Sequence, residues 1–431
     1  MTLYWRKKPH QLAAGLWLAV LGAHAVSAQT LDEQYEYYLA DRCENLNIRG
    51  IYDENLVGEN LINYCNSAGN VVTPPGSTVT VNSSGGASAT SGVGASVVRR
   101  RESDAETSDG TALDVYSADN IGVFLTLNNR SEDKSATEYE AASRSNGFDF
   151  MLGADYRIGE HAVLGGAYSQ MRLNGDFFNG GDFEKDSKAA WFFGAWFPAA
   201  SASIDFSVGI DQGKSSTRRI VGRQTVIVSP SPPVAVPQGE DLAPVAQDYI
   251  TTIILDIPYK RTEGRSQSHS SNATLNGSYD FTWSAFTVGP RMGLALRRTT
   301  LDAFEEAGDT PMTLAFDKQI EKSVLSTLGL QASRALGFSF GVINIQLNVD
   351  WLHEWSDKQR TLTATFAEDY RPDAPRLHFL NQAPDQNWLN TRIGGVAVLP
   401  HGLSAFMTYE YSFAHEYLQQ KNMSIGLRKM F

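Results

Sequence analysis

Lys421-Asn422-Met423-Ser424-Ile425-Gly426-Leu427-Arg428-Lys429-Met430-Phe431 decides how the rest of this sequence is read. Met423, Ile425, Leu427 and Phe431 share one face of a period-two pattern, and Asn422, Ser424, Gly426 and Arg428 share the other. That is a strand with an apolar and a polar face. It stops on a phenylalanine. At the edge of a water-soluble sheet such a strand would be an adhesive, unpaired border. In a sheet that closes on itself, one face can meet lipid and the other a lumen, and no edge remains. The expectation is a transmembrane β-barrel with this stretch as its closing seam.

The alternation recurs upstream. Ile343, Ile345, Leu347, Val349 and Trp351 oppose Asn344, Gln346, Asn348, Asp350 and Glu354. Phe148, Phe150, Leu152 and Tyr156 oppose Asp149, Gly153, Asp155 and Arg157. Similar patterns run through 204–211, 274–281, 287–297 and 403–412, whereas 188–197 is apolar on both faces and its period does not orient it. Bulky apolar residues interleaved this regularly with polar ones point to two different solvents. Short turns are expected at Gly159-Glu160, Pro198 to Ala200, Thr282 to Ser284, Leu336-Gly337 and Pro400 to Gly402. Long connections are expected at 131–146, 174–187, 215–266, 300–319 and 356–386. Short-long alternation suits an outer-membrane barrel, and the count from residue 119 is roughly twelve strands. Within 215–266, the β-prone runs Val226 to Val228 and Ile250 to Ile254 predict a projecting hairpin; Thr361 to Phe366 predicts another strand in a loop.

Composition agrees. With 431 residues the chain can hold a large barrel and an appendage. A net charge of −12 leaves no basic stripe for nucleic acid. The mean hydropathy of −0.27 reveals no helical membrane protein, but a barrel strand is half polar and escapes that test.

The first 28 residues read as a signal peptide. Arg6, Lys7 and Lys8 precede a short apolar core, and Val26-Ser27-Ala28 places cleavage between Ala28 and Gln29. Residues 29–65 form a small module with apolar residues at helical spacing (Leu31, Tyr35, Tyr38, Leu39, Leu46) and the chain's two cysteines, Cys43 and Cys65. In an oxidising compartment these are expected to form a disulfide, which would staple the helical segment by about 3 kcal/mol. A redox-active pair or metal ligands are the alternatives, but Cys-x-x-Cys spacing is missing and no histidine lies between His24 and His161. Residues 66–118 are a Gly/Ser/Thr-rich linker ending near Arg99, Arg100 and Arg101. That basic triplet and the acids after it are either a solvated connector or part of a short helix threading a polar pore. The fold class is therefore all-β: a twelve-stranded antiparallel transmembrane barrel over 119–431, behind a small disulfide-stapled helical segment and linker.

Several stretches resemble the translocator β-domain of autotransporters. Leu152 to Arg157 followed by Val163-Leu164-Gly165, Asp205 to Ile220, Asp350 to Trp355 followed by Arg360 to Thr363, and Gly426 to Phe431 carry the resemblance in order and spacing. It implies a pore-threading segment before the first strand, location in the bacterial outer membrane, and insertion by barrel-assembly machinery with periplasmic chaperones. Gly426 and Phe431 would then be the assembly signal. Lys429 departs from the family's apolar pattern, but its ammonium can snorkel to the interface. The head is also short for a passenger and has no repeat.

No catalytic motif stands out. The head holds no histidine, and the HExxH, Walker and GxSxG patterns are missing. His269 within Ser266 to Ser271 is the one place where a loop-borne enzyme would start. Asp155, Arg157, Asp205, Asp280, Arg291, Arg297, Asp350, Glu354, Arg392 and Glu410 face inward on the strand pattern and read as lumen ion pairs. No cofactor, metal or enzyme activity is expected, the partner is outer-membrane lipid, and the expected form is a monomer. Two functions remain: a barrel that anchors and displays its N-terminal region, or a structural or channel-type barrel whose N-terminal module stays periplasmic or plugs the lumen.

Overall fold

The computed structural model of the chain describes residues 58–61, 120–137, 139–178, 180–230, 249–284, 286–372 and 374–431, with the backbone alone over 222–230 and 249–259. The expected cleavage site at Ala28 and Gln29, the cysteines Cys43 and Cys65, and Arg99 to Arg101 lie outside the described residues. The strands are β1 (Ile121–Lys134), β2 (Ser143–Ile158), β3 (Ala162–Phe177), β4 (Gly181–Ala199), β5 (Ala202–Pro230), β6 (Tyr249–Tyr279), β7 (Phe281–Trp283) and β8 (Phe286–Leu301). They continue as β9 (Phe304–Ala307), β10 (Leu314–Phe316), β11 (Gln319–Phe338), β12 (Gly341–Glu354), β13 (Thr361–Phe366), β14 (Leu377–Leu380), β15 (Asn387–Val398), β16 (Leu403–Phe413) and β17 (Leu418–Met430).

Twelve of these close an antiparallel barrel in the order β1, β2, β3, β4, β5, β6, β8, β11, β12, β15, β16, β17. β7 continues β6 against β8. The expected strand count and closing seam both hold. β17 pairs back onto β1 from Gly122↔Met430 to Lys134↔Leu418. Beyond that ladder the Phe431 amide donates to the Ile121 carbonyl at 2.8 Å, and the Ile121 amide returns a bond at 3.3 Å. Closure satisfies the backbone groups that hydrocarbon could not.

The faces of β17 follow the sequence pattern. Met423, Ile425 and Leu427 are exposed, and Ser424 and Arg428 are buried in the lumen. The ambiguous run in β4 is also resolved: Trp191, Phe193, Ala195 and Phe197 turn inward, while Phe192 and Trp196 face out. The inward rings lie over glycines opposite them on the neighbouring strands. A Cβ on Gly209 would come within 2.2 Å of the Trp191 ring, and one on Gly165 within 2.4 Å of Phe193. Phe124, opposite Gly153, meets Phe193 edge to face at 5.7 Å. Gly426 in the closing strand serves Phe406 in the same way, with only 2.1 Å available for a Cβ.

One end of the barrel carries tight turns. Between β15 and β16 the Leu399 amide donates to the Leu403 carbonyl at 2.8 Å across the three-residue loop Pro400 to Gly402, in which His401 (φ 61°) and Gly402 (φ 71°) both occupy left-handed conformations. Outward Tyr156, Trp196, Tyr279, Trp283, Phe286 and Phe431 mark the bilayer boundary there. The turn expected at Leu336-Gly337 falls instead after Phe338, since Gly337 remains paired with Val342 inside the β11–β12 ladder. At this boundary Phe338 and Phe340 stack at 5.2 Å across the turn.

The opposite end is raised. Much of the expected long connections 131–146, 174–187 and 215–266 is paired strand. β5 and β6 stay in register as far as Pro230↔Tyr249, which brings Val226 opposite Ile253 in the projecting hairpin. The connections after β8 and β12 build a second, small sheet, β9-β10-β13-β14, in which Thr361 to Phe366 is indeed a strand. Its core is Met312, Leu314, Phe316, Leu362, Phe366 and Phe379, all buried. This cap reaches across the mouth. β9 pairs with β6 on one side. On the other, the Gln382 amide donates to Glu140, between β1 and β2, at 3.2 Å.

Gly426→Val should destabilise the barrel by roughly 1–3 kcal/mol through overpacking against Phe406. Adding Phe406→Ala should recover part of the loss. The midpoint of heat-modifiable electrophoretic mobility measures both.

Candidate functional site

The seam carries a deeply buried ion pair of the lumen wall. Arg428 on β17 reaches across β1 to Asp155 on β2, its Nε lying 3.2 Å from Asp155 Oδ2 and its Nη2 on Oδ1. Both side chains are nearly inaccessible. The strand they cross is β1, where Gly122 leaves room: a Cβ there would lie 2.6 Å from Arg428 Nη2 and 2.8 Å from Asp155 Oδ1. One guanidinium thus ties three strands together at the point of closure. Lys429, the departure from the apolar pattern, turns to the turn end. Its ammonium donates to the His401 carbonyl and lies 5.4 Å from the Phe431 ring centre. Snorkelling thus accommodates it.

The other inward charges singled out in the sequence are also paired or hydrogen-bonded. Arg392 Nε donates to Glu410 at 2.7 Å, and Asn390 holds the same carboxylate at 2.7 Å. Arg291 lies 3.4 Å from Asp350. Asn276 donates to Asp205 at 2.8 Å, and the Val324 amide donates to Glu354 at 2.9 Å. Gln331 Nε2 donates to Asp280. Arg297 donates to Thr299 at 3.2 Å, and Arg157 to the Gly159 carbonyl at 3.1 Å at the turn end. The result is a wet, mixed-charge lining. It suits polar chain and offers no field of one sign to select an ion.

At the raised end, side-chain contacts add to the β9–β6 pairing and the Gln382–Glu140 bond in holding the cap. Arg219, inward on β5, grips Glu306 with Nε and Nη2, both at 2.6 Å, and donates to the Met312 carbonyl at 2.9 Å. On the far side, Tyr417 Oη donates to the Ala383 carbonyl at 3.1 Å, and the Glu416 amide donates to Asp385 at 2.7 Å. His415, between β16 and β17, accepts the Leu418 amide at 3.2 Å. Burial lowers its imidazole below the ordinary value, although Asp385 pulls the other way, and this favours the neutral ring that can accept the Leu418 amide.

The cap also holds a piece of the N-terminal region. Residues 58–61 sit on Glu368, between β13 and β14. The Gly58 amide donates to the Glu368 carbonyl at 2.9 Å. Asn60 Nδ2 donates to one carboxylate oxygen at 2.7 Å, and the Leu61 amide to the other at 2.9 Å. Leu61 is fully buried. At Gly58 an added Cβ would meet Glu368 Cγ at 2.6 Å, so the close approach needs glycine. Neither Glu368 nor Arg428 stands out by residue type. Arg428 and Asp155 both lie on polar faces, and their meeting follows only once β1 is placed between them. Nothing in the composition of 367–371 marks a docking site for a segment some 300 positions away.

His269 lies on the outer face of β6, 3.6 Å from Asp302. Ser270 turns inward to Thr299, so this pair gains no serine nucleophile from its neighbour. Among the described residues no group of three or more His, Cys, Asp or Glu could hold a metal.

Arg428→Gln should cost roughly 3–5 kcal/mol, because it strands Asp155 as a lone buried charge. Arg428→Gln with Asp155→Asn should cost less than the single change. Urea unfolding of the detergent-solubilised barrel distinguishes the two.

The sequence matches the family model for the autotransporter β-domain over residues 122–229 and 247–410. No curated protein matches it. The fold is similar to the translocator domain of autotransporter NalP from Neisseria meningitidis, at 13% identity and a TM-score of 0.52, covering 79% of this chain and 98% of that one. The β-domain of the Bordetella autotransporter BrkA is matched at 14% identity and a TM-score of 0.46, over 73% of this chain and all of that one. The family match spans well over half the sequence: this chain belongs to the autotransporter β-domain family, barrels of the bacterial outer membrane.

Proposed function

We propose that this barrel anchors the protein in the outer membrane and displays its short N-terminal region on the cell surface, held against the cap. The observation that carries this reading is the contact of residues 58–61 with Glu368. β1 begins at Ile121, at the end of the tight turns, whereas Glu368 belongs to the raised end. In outer-membrane barrels the short turns are periplasmic and the longer loops external. Residues 62–120 must therefore connect the two sides. A polar segment cannot run through lipid, which supports a route through the lumen. At roughly 3.3 Å per extended residue it is several times longer than the ~25 Å apolar band. The mixed-charge lining suits such a chain. Arg99, Arg100 and Arg101 fall within this segment and would meet the lumen carboxylates. A Cys43–Cys65 disulfide would brace the displayed module, since Cys65 lies four residues after the docked Leu61.

The alternative is a structural or channel-type barrel with a periplasmic or lumen-plugging module, and a periplasmic module would require residues 58–61 to leave Glu368. An epitope inserted at residue 50 should be detected by antibody on intact cells. Glu368→Ala should leave the epitope at the surface but raise its protease sensitivity. Detection only after outer-membrane permeabilisation, with the barrel still heat-modifiable, would establish the alternative instead.

A further inference from the structure

On the outer wall, facing the bilayer, a groove of about 630 Å³ runs across β4, β5, β6, β8 and β11. Its floor is Ala273, set lower than Phe192, Ile210, Leu296 and Val324 around it. At the raised end it is bounded by two cations, Arg298 on β8 and Lys322 on β11. These stand directly opposite each other in the β8–β11 ladder, both exposed. Like charges in facing positions, with Cβ atoms about 5 Å apart, destabilise a sheet. Neither has a hydrogen-bond or ion-pair partner among the described residues. The nearest neighbours on that face, Ser271, Thr300, Ile320 and Val324, are neutral, and the titratable group beyond Ser271, His269, lies 3.6 Å from Asp302.

Their depth is set by the strand. The outward residues of β8 are Phe286, Val288, Pro290, Met292, Leu294 and Leu296, after which comes Arg298. Residues 286–296 match the nine to eleven that a tilted strand needs to cross the hydrocarbon. Arg298 and Lys322 therefore sit where lipid phosphates begin, directly above an apolar trough.

We propose that this groove is a binding site for an anionic phospholipid-type lipid, one with a phosphate group and net negative charge, in the leaflet at the raised end. The phosphate would lie between Arg298 and Lys322 and neutralise their repulsion by charge-assisted hydrogen bonds. An acyl chain would lie over Ala273. The apolar trough below the cations favours a lipid over a soluble anion.

The test uses the purified full-length chain in dodecylmaltoside, titrated with dimyristoylphosphatidylglycerol or dimyristoylphosphatidylcholine and read by native mass spectrometry. The wild type should prefer the anionic lipid by about tenfold, the equivalent of 1.4 kcal/mol. Arg298→Gln with Lys322→Gln should bring the ratio near one, and Lys322→Gln alone should give an intermediate value if the double variant does not fold. Ala273→Trp should reduce retention of both lipids. Equal retention of the two lipids by the wild type would overturn the proposal, as would a preference unchanged in the variants. Displacement of the lipid by millimolar inorganic phosphate would reassign the site to a soluble anion. A dimer abolished by Ala273→Trp would reassign the groove to a second copy of the chain.

Discussion

Everything in this molecule depends on closing the sheet between β17 and β1. Within hydrocarbon an unpaired backbone amide or carbonyl costs several kcal/mol, so an open edge is not available to a membrane sheet. The ladder from Gly122↔Met430 to Lys134↔Leu418 removes that edge. Arg428 and Asp155 then bind the seam from inside, across the gap left by Gly122. The strand that closes the barrel is thus secured by backbone pairing, by a ring-over-glycine contact at Gly426, and by a buried ion pair. These act at successive positions of one face.

Closure also divides the molecule into two ends. At the turn end the last residues, Lys429 and Phe431, settle into the interface beside the His401 turn. At the raised end the strands outgrow the bilayer, and the connections after β8 and β12 become a structured cap with its own apolar core. The cap is anchored on opposite sides of the mouth, through Arg219–Glu306 and through Glu140, Asp385 and Tyr417. Such a cap serves as a fixed platform, and the turn at residues 58–61 occupies it. The lumen beneath carries charges of both signs, several of them in pairs. That lining accommodates a polypeptide more readily than it discriminates between ions.

The barrel was legible in the sequence because the strand period maps directly onto two solvents. Met423, Ile425 and Leu427 faced out as their spacing required, and Asp350 and Glu410 faced in. Period failed at 188–197, where both faces are apolar, because Trp191 and Phe193 are inward for a local reason: glycines on adjacent strands receive their rings. Glycine also misled at 337, where a strand residue without a side chain resembles a turn. Loop lengths were overestimated because polar residues continue in paired strand above the bilayer, where neither face meets lipid. Contacts between distant segments left no local trace. Glu368 holding Leu61, and Arg219 holding Glu306, depend on which loops fold over the mouth, and no periodicity encodes that.

The central claim is that a chain starting its first strand at one end of the barrel keeps its upstream segment docked at the other. Cysteines at Asn60 and Glu368, in a background with Cys43 and Cys65 replaced by serine, test it directly. Oxidation of intact cells with a membrane-impermeant oxidant should form the 60–368 crosslink in the folded, heat-modifiable barrel. No crosslink on intact cells, with residue 60 reactive only after the outer membrane is opened, would contradict the account.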